Sequence, residues 1–425
     1  MIEFELNGAV LAVTNTTASG AVPRTRVPIP STAAFGLSAI VGFQPRSHRS
    51  ASVAITVANP WEQTGFGAGD TGFEPNDPTW MRHVYVGTSA WLDLAWHFAP
   101  GVPFVASPAV AGGVAYLASL SGDVYAIDIA NGGLLWDSHL PSGAPVVRAP
   151  SVDPLQGLVF VAGTDGTLRA LAISTGDPVW SIALGGNLSA PVFGAGTIYL
   201  TSDNGLVSVL ETTGAVLWTA PLPSRSASSV ALDPTRGILV DALASGELLA
   251  VHISTGQPLW SASLGAGFVA APTLWNGAVV VGSLNSSVYA VSERTGARLW
   301  TFVTSGPIES AGVIVSQESY RGGPEYAVGS ANGILWVLNV ATGTLDFTVS
   351  WGAPIVGVGA ADGIIFAETS NGFVKATRAY TSLTVWSHGI GSPLASAPVL
   401  ADGTVYVSTE EGNLYAFTTF GQPPT

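Results

Sequence analysis

Short hydrophobic segments of strand length alternate with glycine-containing turns along most of the chain. In residues 112–136, GGVAYLASLSGDVYAIDIANGGLLW, two segments rich in Val, Tyr, Ile and Ala flank the polar pair Gly122-Asp123. A further segment, such as SAPVF at residues 189–193, begins each unit, and the last segment of each unit ends in an aromatic residue. Runs of this length between turn residues are typical of β-strands. We therefore predict that each unit is a four-stranded antiparallel meander without a helix.

Two kinds of turn recur along the repeats. The second carries Thr-Gly, as in Thr175-Gly176 and Thr255-Gly256. The first is a polar pair that includes glycine, and we predict that several of these pairs close two-residue hairpins with positive φ angles. Pairs of this first kind are Gly122-Asp123, Asp165-Gly166, Asn204-Gly205, Ser245-Gly246, Asn332-Gly333, Asn371-Gly372 and Glu411-Gly412.

The closing aromatic residues recur at nearly constant spacing. Successive ones are 40, 44, 38, 42, 40, 47 and 39 residues apart. Tandem four-stranded units of about 40 residues are typical of β-propellers, whereas β-solenoid repeats are shorter and lack two hairpin turns per unit. We expect the aromatic residues to be structural blade anchors: Trp96, Trp136, Trp180, Trp218, Trp260, Trp300, Phe347 and Trp386.

The last unit, residues 396–421, stops before a Thr-Gly turn or a closing tryptophan. An isolated LAW at residues 94–96 matches the missing end of a unit. Pairing these two pieces would leave no open sheet edge. We predict an all-β, eight-bladed propeller of four-stranded antiparallel blades over residues 91–425, closed by pairing residues 92–98 with residues 397–418.

Composition narrows the classes of partner. The 425 residues are 47% hydrophobic and 10% charged, with a net charge of −14 and no cysteine. The negative charge disfavours nucleic acid and anionic membranes as partners, and no apolar run is long enough to predict direct membrane insertion. The absence of cysteine excludes disulfides and thiolate sites. The start, MIEFELNGAV, lacks the features of a secretory signal, so we expect synthesis in the cytoplasm and leave the final location open.

Residues 1–90 do not repeat. Residues 2–13 and 50–60 have strand-like patterns within a Pro/Gly-rich, irregular β/loop extension, and five of the thirteen arginines lie in this region. Because its pattern and charge differ from the repeats, we interpret it as a docking element for a protein partner. Tryptophan and arginine are enriched at interfaces. The candidate interface residues are Trp61, Trp80, Arg24, Arg26, Arg46 and Arg49.

The sequence contains no convincing catalytic, metal-binding or phosphate-binding motif. The six histidines share no metal-binding spacing. The acidic loop at residues 69–78 lacks the EF-hand pattern. No nucleophile elbow or phosphate-binding loop occurs in the required context. We therefore predict no catalytic, cofactor-binding or metal-binding residue and no cofactor.

The segment AIDIANGGLLW (residues 126–136) resembles the tryptophan-docking motif of quinoprotein propellers, A-x-D-x-x-T-G-x-x-x-W, as do residues 170–180, 250–260 and 290–300. The resemblance covers residues 92–421 and implies that each tryptophan packs between blades beside the glycine of the motif. Some members of this family are dehydrogenases that hold pyrroloquinoline quinone and Ca²⁺ on the axis, beside a disulfide of adjacent cysteines that this chain lacks. Other members are docking scaffolds. One of these is the lipoprotein propeller of the outer-membrane barrel-assembly machine, whose signal and lipid-anchored cysteine we do not find here.

These observations favour a non-enzymatic propeller that acts as a structural or protein-interaction module. The poorly charged composition also suggests an exterior subunit of a large assembly, such as a virion or a tail-like particle. The alternatives from other classes are a quinone-dependent dehydrogenase-like enzyme, a hydrolase that uses the axial channel, and a soluble sugar- or peptide-binding propeller with its ligand in the axial funnel.

Overall fold

The computed structural model describes residues 92–418, apart from 142, 195, 227, 316–322, 362, 380–381 and 395, together with the backbone of four strands before residue 58. The chain divides into two compact units, Met1–Pro60 and Trp61–Thr425. In the described part of the chain, no helix is both long and apolar enough to cross a membrane.

The first unit contains one four-stranded sheet. Its strand order is β2-β1-β3-β4, and its neighbouring strands are antiparallel. The sequence pattern predicted the segments that hold β1, β2 and β4 but not the third strand. The strands are β1 (Ile2–Leu6), β2 (Ala9–Thr14), β3 (Gly36–Gln44) and β4 (Arg49–Val57).

The described strands of the second unit form eight four-stranded antiparallel sheets, as predicted. Each sheet is one blade, and its strands are named A to D from the axis outwards, because strand A of a blade lies beside strand A of the next blade. Blade 1 comprises β6 (Ala109–Ala111), β7 (Val114–Ala118), β8 (Asp123–Asp128) and β9 (Leu134–His139), and blade 2 comprises β10 (Ser151–Asp153), β11 (Leu158–Ala162), β12 (Thr167–Ala172) and β13 (Pro178–Ala183). Blade 3 comprises β14 (Val192–Gly194), β15 (Thr197–Ser202), β16 (Gly205–Leu210) and β17 (Val216–Ala220), and blade 4 comprises β18 (Ala231–Asp233), β19 (Ile238–Ala242), β20 (Glu247–His252) and β21 (Pro258–Ser263).

The last blade confirms the predicted closure. Strands β34, β35 and β36 pair in sequence, and β5 (Asp93–Phe98) completes the sheet as its strand D, with Ala416 opposite Trp96. Blade 5 comprises β22 (Thr273–Trp275), β23 (Ala278–Ser283), β24 (Ser287–Ser292) and β25 (Arg298–Val303), and blade 6 comprises β26 (Val313–Val315), β27 (Glu325–Gly329), β28 (Ile334–Asn339) and β29 (Leu345–Ser350). Blade 7 comprises β30 (Ile355–Ala361), β31 (Ile364–Thr369), β32 (Phe373–Arg378) and β33 (Thr384–Gly389), and blade 8 comprises β34 (Val399–Ala401), β35 (Thr404–Ser408), β36 (Leu414–Thr418) and β5.

The hydrophobic core lies between the blades. Strands B and C are buried on both faces because a blade packs against two neighbours, which explains their nearly continuous apolar sequence. Between blades 1 and 2, for example, Tyr116 and Val124 pack with Val159 and Val161. Strand D is the outer edge of the blade, and there only part of the residues, such as Trp136, turn inwards.

The predicted geometry of the first turn is wrong. In blade 1, Ser119 N–H donates to Asp123 O (2.9 Å) and Gly122 N–H donates to Ser119 O (3.2 Å), so three residues form the loop. Only the glycine has positive φ, at 83°. One left-handed residue after a type I turn is enough to reverse the chain, and glycine adopts it without steric cost. Consecutive positive φ angles occur instead between strands A and B, as at Asn276 (43°) and Gly277 (83°).

Candidate functional site

Each predicted anchor lies on strand D of its blade. The Trp136 ring packs on Gly176 of the next blade, where an added Cβ would lie 2.5 Å from the ring. The indole N–H donates to a carbonyl of the neighbouring blade at every tryptophan anchor, whereas Phe347 has no such donor. The pairs are Trp96 to Ile129 (2.8 Å), Trp136 to Ile173 (2.9 Å), Trp180 to Glu211 (2.7 Å), Trp218 to Ile253 (2.9 Å), Trp260 to Glu293 (2.6 Å), Trp300 to Val340 (3.0 Å) and Trp386 to Leu92 (3.1 Å).

The described structure does not test the candidate interface residues of the N-terminal region. Arg49 is the first residue of β4, for which the backbone alone is described. Trp61, Trp80, Arg24, Arg26 and Arg46 lie outside the described residues. Their role in docking therefore stays a prediction.

A channel follows the axis of the ring. It encloses about 740 Å³, including the part open to solvent, and is lined by residues that precede or begin strand A in all eight blades. The side chains that line the channel are small because eight strands converge on one axis. One residue of each blade at the level just before strand A shows this: Ser107, Ala149, Ala190, Ser229, Ala271, Ala311, Gly357 and Ala397.

Two ionisable side chains also line the channel, among these small residues. Arg148 belongs to blade 2 and Glu309 to blade 6, so they lie on opposite sides of the eight-bladed ring. The sequence pattern did not single them out. The signal was present, since VVRAP at residues 146–150 places arginine where the corresponding LSAP at residues 188–191 has serine.

The described channel lining does not fit a quinone with a calcium ion. Calcium takes about six to eight oxygen ligands, but Glu309 is the one carboxylate among the lining residues. No group of three or more acidic or histidine side chains within the described ranges is placed to hold a metal ion. The lining therefore offers neither a metal cage nor a paired acid and base.

Carboxyl groups are instead buried between blades, beside the tryptophan contacts. Glu211, whose carbonyl accepts the Trp180 N–H, is buried, and its side chain is hydrogen-bonded to Asp153. Burial, the hydrogen bond and the charge of Asp153 raise the pKa of Glu211 to about 8. Glu211 is therefore mostly protonated at neutral pH.

The equivalent site between blades 4 and 5 contains a cation. Burial and the charge of Asp233 raise the pKa of Glu293 to about 7, and Arg236 opposes this effect. The Arg236 Nη1 atom lies 2.5 Å from Asp233 Oδ2 and 3.4 Å from Glu293 Oε2. In blade 2 the residue that corresponds to Arg236 is Gln156.

Two more carboxyl groups are fully buried. Ser226 Oγ donates to Asp241 Oδ1 at 2.7 Å, and burial raises the pKa of Asp241 to about 7. Burial also raises the pKa of Glu368, whose two carboxylate oxygens have no partner among the described atoms. Because both side chains are 0% exposed, a substrate in solvent does not reach them.

One protein family matches the propeller sequence. Its model, described as "Outer membrane protein assembly factor BamB", matches residues 92–233, 142–285 and 203–355 in overlapping segments. The chain is similar to the outer membrane protein assembly factor BamB of Burkholderia pseudomallei, with 25% identity over 342 residues, 73% of this chain and 83% of the relative. It is also similar to the tetrathionate hydrolase of Acidithiobacillus ferrooxidans, with 26% identity over 245 residues, 52% of this chain and 48% of the relative.

Solved structures share the architecture. The crystal structure of BamB from Moraxella catarrhalis has a TM-score of 0.66 and 14% identity, and the match covers 77% of this chain and 99% of that protein. The quinohemoprotein alcohol dehydrogenase of Comamonas testosteroni has a TM-score of 0.69 and 15% identity, with 85% and 80% covered. At these identities the likeness shows the fold alone.

Proposed function

The chain belongs to the family of the outer membrane protein assembly factor BamB, and from that membership we propose that it is a non-enzymatic propeller that serves as a protein-interaction module. The family name describes a protein that takes part in assembly, and the match covers residues 92–355. A rigid ring that presents loops at both ends suits such a role, because loops on a fixed scaffold commonly carry recognition.

The channel lining is the observation that carries this proposal. Its residues are small and nearly uncharged, with Arg148 and Glu309 on opposite sides of the ring. Acid-base or nucleophilic catalysis needs at least two reactive groups within hydrogen-bond reach of one another. Ionisable groups that stand on opposite walls do not meet this requirement, which favours binding over chemistry.

Residues 1–90 are proposed as the element that joins the ring to its partner. The proposal rests on their non-repeating sequence and on their five arginines, against a chain of net charge −14. A deletion of residues 1–90 removes neither Leu92 nor β5, which close the ring. The shortened protein should therefore keep its β-sheet circular dichroism and lose its partner. A deletion variant that still assembles would contradict this role.

Gradient sedimentation of material from the native source, with mass spectrometry of the fractions, tests the function directly. A protein-interaction module should migrate with partner proteins, far ahead of a free 43.3 kDa chain. Migration with a megadalton particle would support the narrower proposal of an exterior subunit, which rests on composition alone. Recovery of the chain solely as a free monomer would contradict both interpretations.

An enzyme is the second candidate, because one relative bears the name of a hydrolase and some solved propellers of this fold are dehydrogenases. Addition of pyrroloquinoline quinone with Ca²⁺, followed by absorbance and dye reduction, tests the dehydrogenase alternative. A shifted quinone spectrum that depends on the protein, with dye reduction, would overturn the non-enzymatic proposal. We expect neither signal above that of a heat-denatured control.

A further inference from the structure

Two arginines flank the inner end of blade 3 at one mouth of the channel. Arg148 precedes strand A of blade 2, and Arg225 lies between β17 and β18 on the side of blade 4. Both line one cleft of about 290 Å³, including its open part, together with Asn187, Thr201 and Ser228 of blades 3 and 4. The cleft adjoins the channel, because Arg148 and Ser228 line both spaces.

Neither arginine has an ion-pair partner among the described residues. Arg148 Nε is buried without a hydrogen-bond partner among the described atoms. No ion pair in the described part of the chain involves Arg148 or Arg225, although Asp203 lines the same cleft. The Asp203 carboxylate instead accepts the Asn187 backbone N–H at 2.9 Å.

The placement of these two cations is electrostatically unfavourable. Burial and the nearby positive charge of Arg225 both lower the pKa of Arg148. A buried donor without a partner and a pair of like charges each destabilise a fold unless a ligand compensates them. Two other described arginines do have carboxylate partners: Arg169 pairs with Asp165, and Arg236 pairs with Asp233.

We propose that this cleft binds a phosphate group between the Arg148 and Arg225 side chains. Guanidinium groups donate to phosphate oxygens in charge-assisted, often bidentate hydrogen bonds. A carboxylate is satisfied by one guanidinium, whereas donors that converge from blades 2, 3 and 4 match the several acceptor oxygens of a tetrahedral anion. The Asn187 amide and the Ser228 hydroxyl supply neutral donors, since the hydrogen bonds that these residues make within the protein use the backbone N–H and carbonyl.

Thermal unfolding of the full chain tests the site. Sodium phosphate should raise the melting temperature along a saturable curve, relative to sodium chloride at the same ionic strength. The Arg148→Gln and Arg225→Gln variants should lose this response, because their dissociation constants for phosphate should be about tenfold higher or more. Arg294→Gln is the matched control, because Arg294 is an exposed arginine outside the cleft, and it should respond like the wild type.

Two further measurements keep the proposal falsifiable if a variant folds poorly. Titration calorimetry at 25 °C should detect phosphate binding to the wild-type chain, and Arg225→Gln without phosphate should be at least as stable as the wild type, because a repulsion is removed. Binding of O-phosphoserine as well as inorganic phosphate would indicate a group carried by a larger ligand; binding of inorganic phosphate alone would indicate the free ion. Equal binding of acetate, or equal loss of response in Arg294→Gln, would overturn the proposal.

Discussion

The indole N–H of Trp386 donates a hydrogen bond of 3.1 Å to the carbonyl of Leu92, 294 residues earlier in the chain. At the other tryptophan interfaces the acceptor is the residue that follows strand C of the next blade, as Ile129 follows β8. In the last blade, strands C and D come from opposite ends of the propeller sequence, so no turn joins them. The segment that leads into β5 therefore supplies the acceptor, and ring closure combines strand pairing with a tryptophan contact.

This arrangement predicts that β5 can be moved to the other end of the chain. Thr418 pairs with Asp93, so a short glycine-containing turn can join residues 99–418 to residues 92–98. Because that link converts a long closure into a local one, the permuted propeller should melt at or above the temperature of the propeller of residues 92–418.

The control for the permutation is a chain of residues 99–418 without β5. It exposes the edge of β36 and removes the acceptor for Trp386, so it should aggregate or melt at a lower temperature. Circular dichroism melts and size-exclusion chromatography distinguish the two chains. Equal stability with and without β5 would show that strand pairing does not close the ring.

The glycines beneath the tryptophan rings should tolerate substitution less well than other glycines with positive φ, because an added Cβ would also meet the ring. Gly256 has φ of +68°, and an added Cβ would lie 2.4 Å from the Trp218 ring, whereas Gly101 has φ of +79° with nothing within 4 Å. Gly101→Ala should cost about 1 kcal/mol in unfolding free energy, from φ alone.

Gly256→Ala should cost about 1–3 kcal/mol more than this, because the ring must move. Urea unfolding of the two variants measures the difference. If both substitutions cost the same, the close approach of Trp218 does not limit the residue at position 256.

Blade 6 and blade 7 depart from the pattern together. Phe347 stands at the anchor position of blade 6, and Ser382 stands in blade 7 four residues before Trp386, where blades 1 to 6 have glycine before the anchor. Ser382 still has a positive φ of 53°. A side chain at this position is compatible with the smaller ring of phenylalanine, because the Cβ contact that excludes residues beneath an indole is relaxed.

A double-mutant cycle tests whether these two departures are coupled. Phe347→Trp alone should destabilise the protein, since its ring meets the Ser382 side chain. The pair Phe347→Trp and Ser382→Gly should restore the usual contact, with a favourable coupling energy of about 0.5–3 kcal/mol from chemical unfolding. Additive effects would mean that the two positions do not sense each other.

Most of the propeller fold was predictable from the local sequence pattern of the repeat. Strand-length segments, an aromatic anchor such as Trp136 and the isolated LAW were enough to predict eight blades and their closure, because each feature recurs within about 40 residues of the chain. The three-residue turn at Gly122 was not predicted, since the same residues suit two turn types. The neighbourhood of Arg148 and Arg225 was not predictable either, because it forms where loops of different blades converge around the axis.

The raised pKa values of buried carboxyl groups such as Glu211 predict how stability depends on pH. The pKa of Glu211 rises from 4.5 to about 8 on folding, and those of Glu293 and Asp241 rise to about 7. Between pH 4.5 and pH 8 the native state therefore holds protons that the unfolded chain releases, so stability falls as pH rises. The slope is at most about 1.4 kcal/mol per pH unit for each proton. The pKa values of Asp123 and Asp233 are lowered, which adds the opposite loss below about pH 3.8.

Two reciprocal substitutions test this origin of the pH dependence: one adds an arginine to the site between blades 2 and 3, and the other removes the arginine from the site between blades 4 and 5. Gln156→Arg gives the blade 2–3 site the cation that the blade 4–5 site already has, so it should lower the pKa of Glu211 and flatten the loss of unfolding free energy between pH 5 and pH 8. Arg236→Gln should steepen that loss, because Glu293 and Asp233 lose their cation. The Arg236 side chain is 46% exposed, so solvent screening limits each change to about 1 kcal/mol. Urea unfolding at pH 5, 6.5 and 8 measures both slopes; if each substitution shifts stability equally at all three pH values, the buried carboxyl pairs do not cause the dependence.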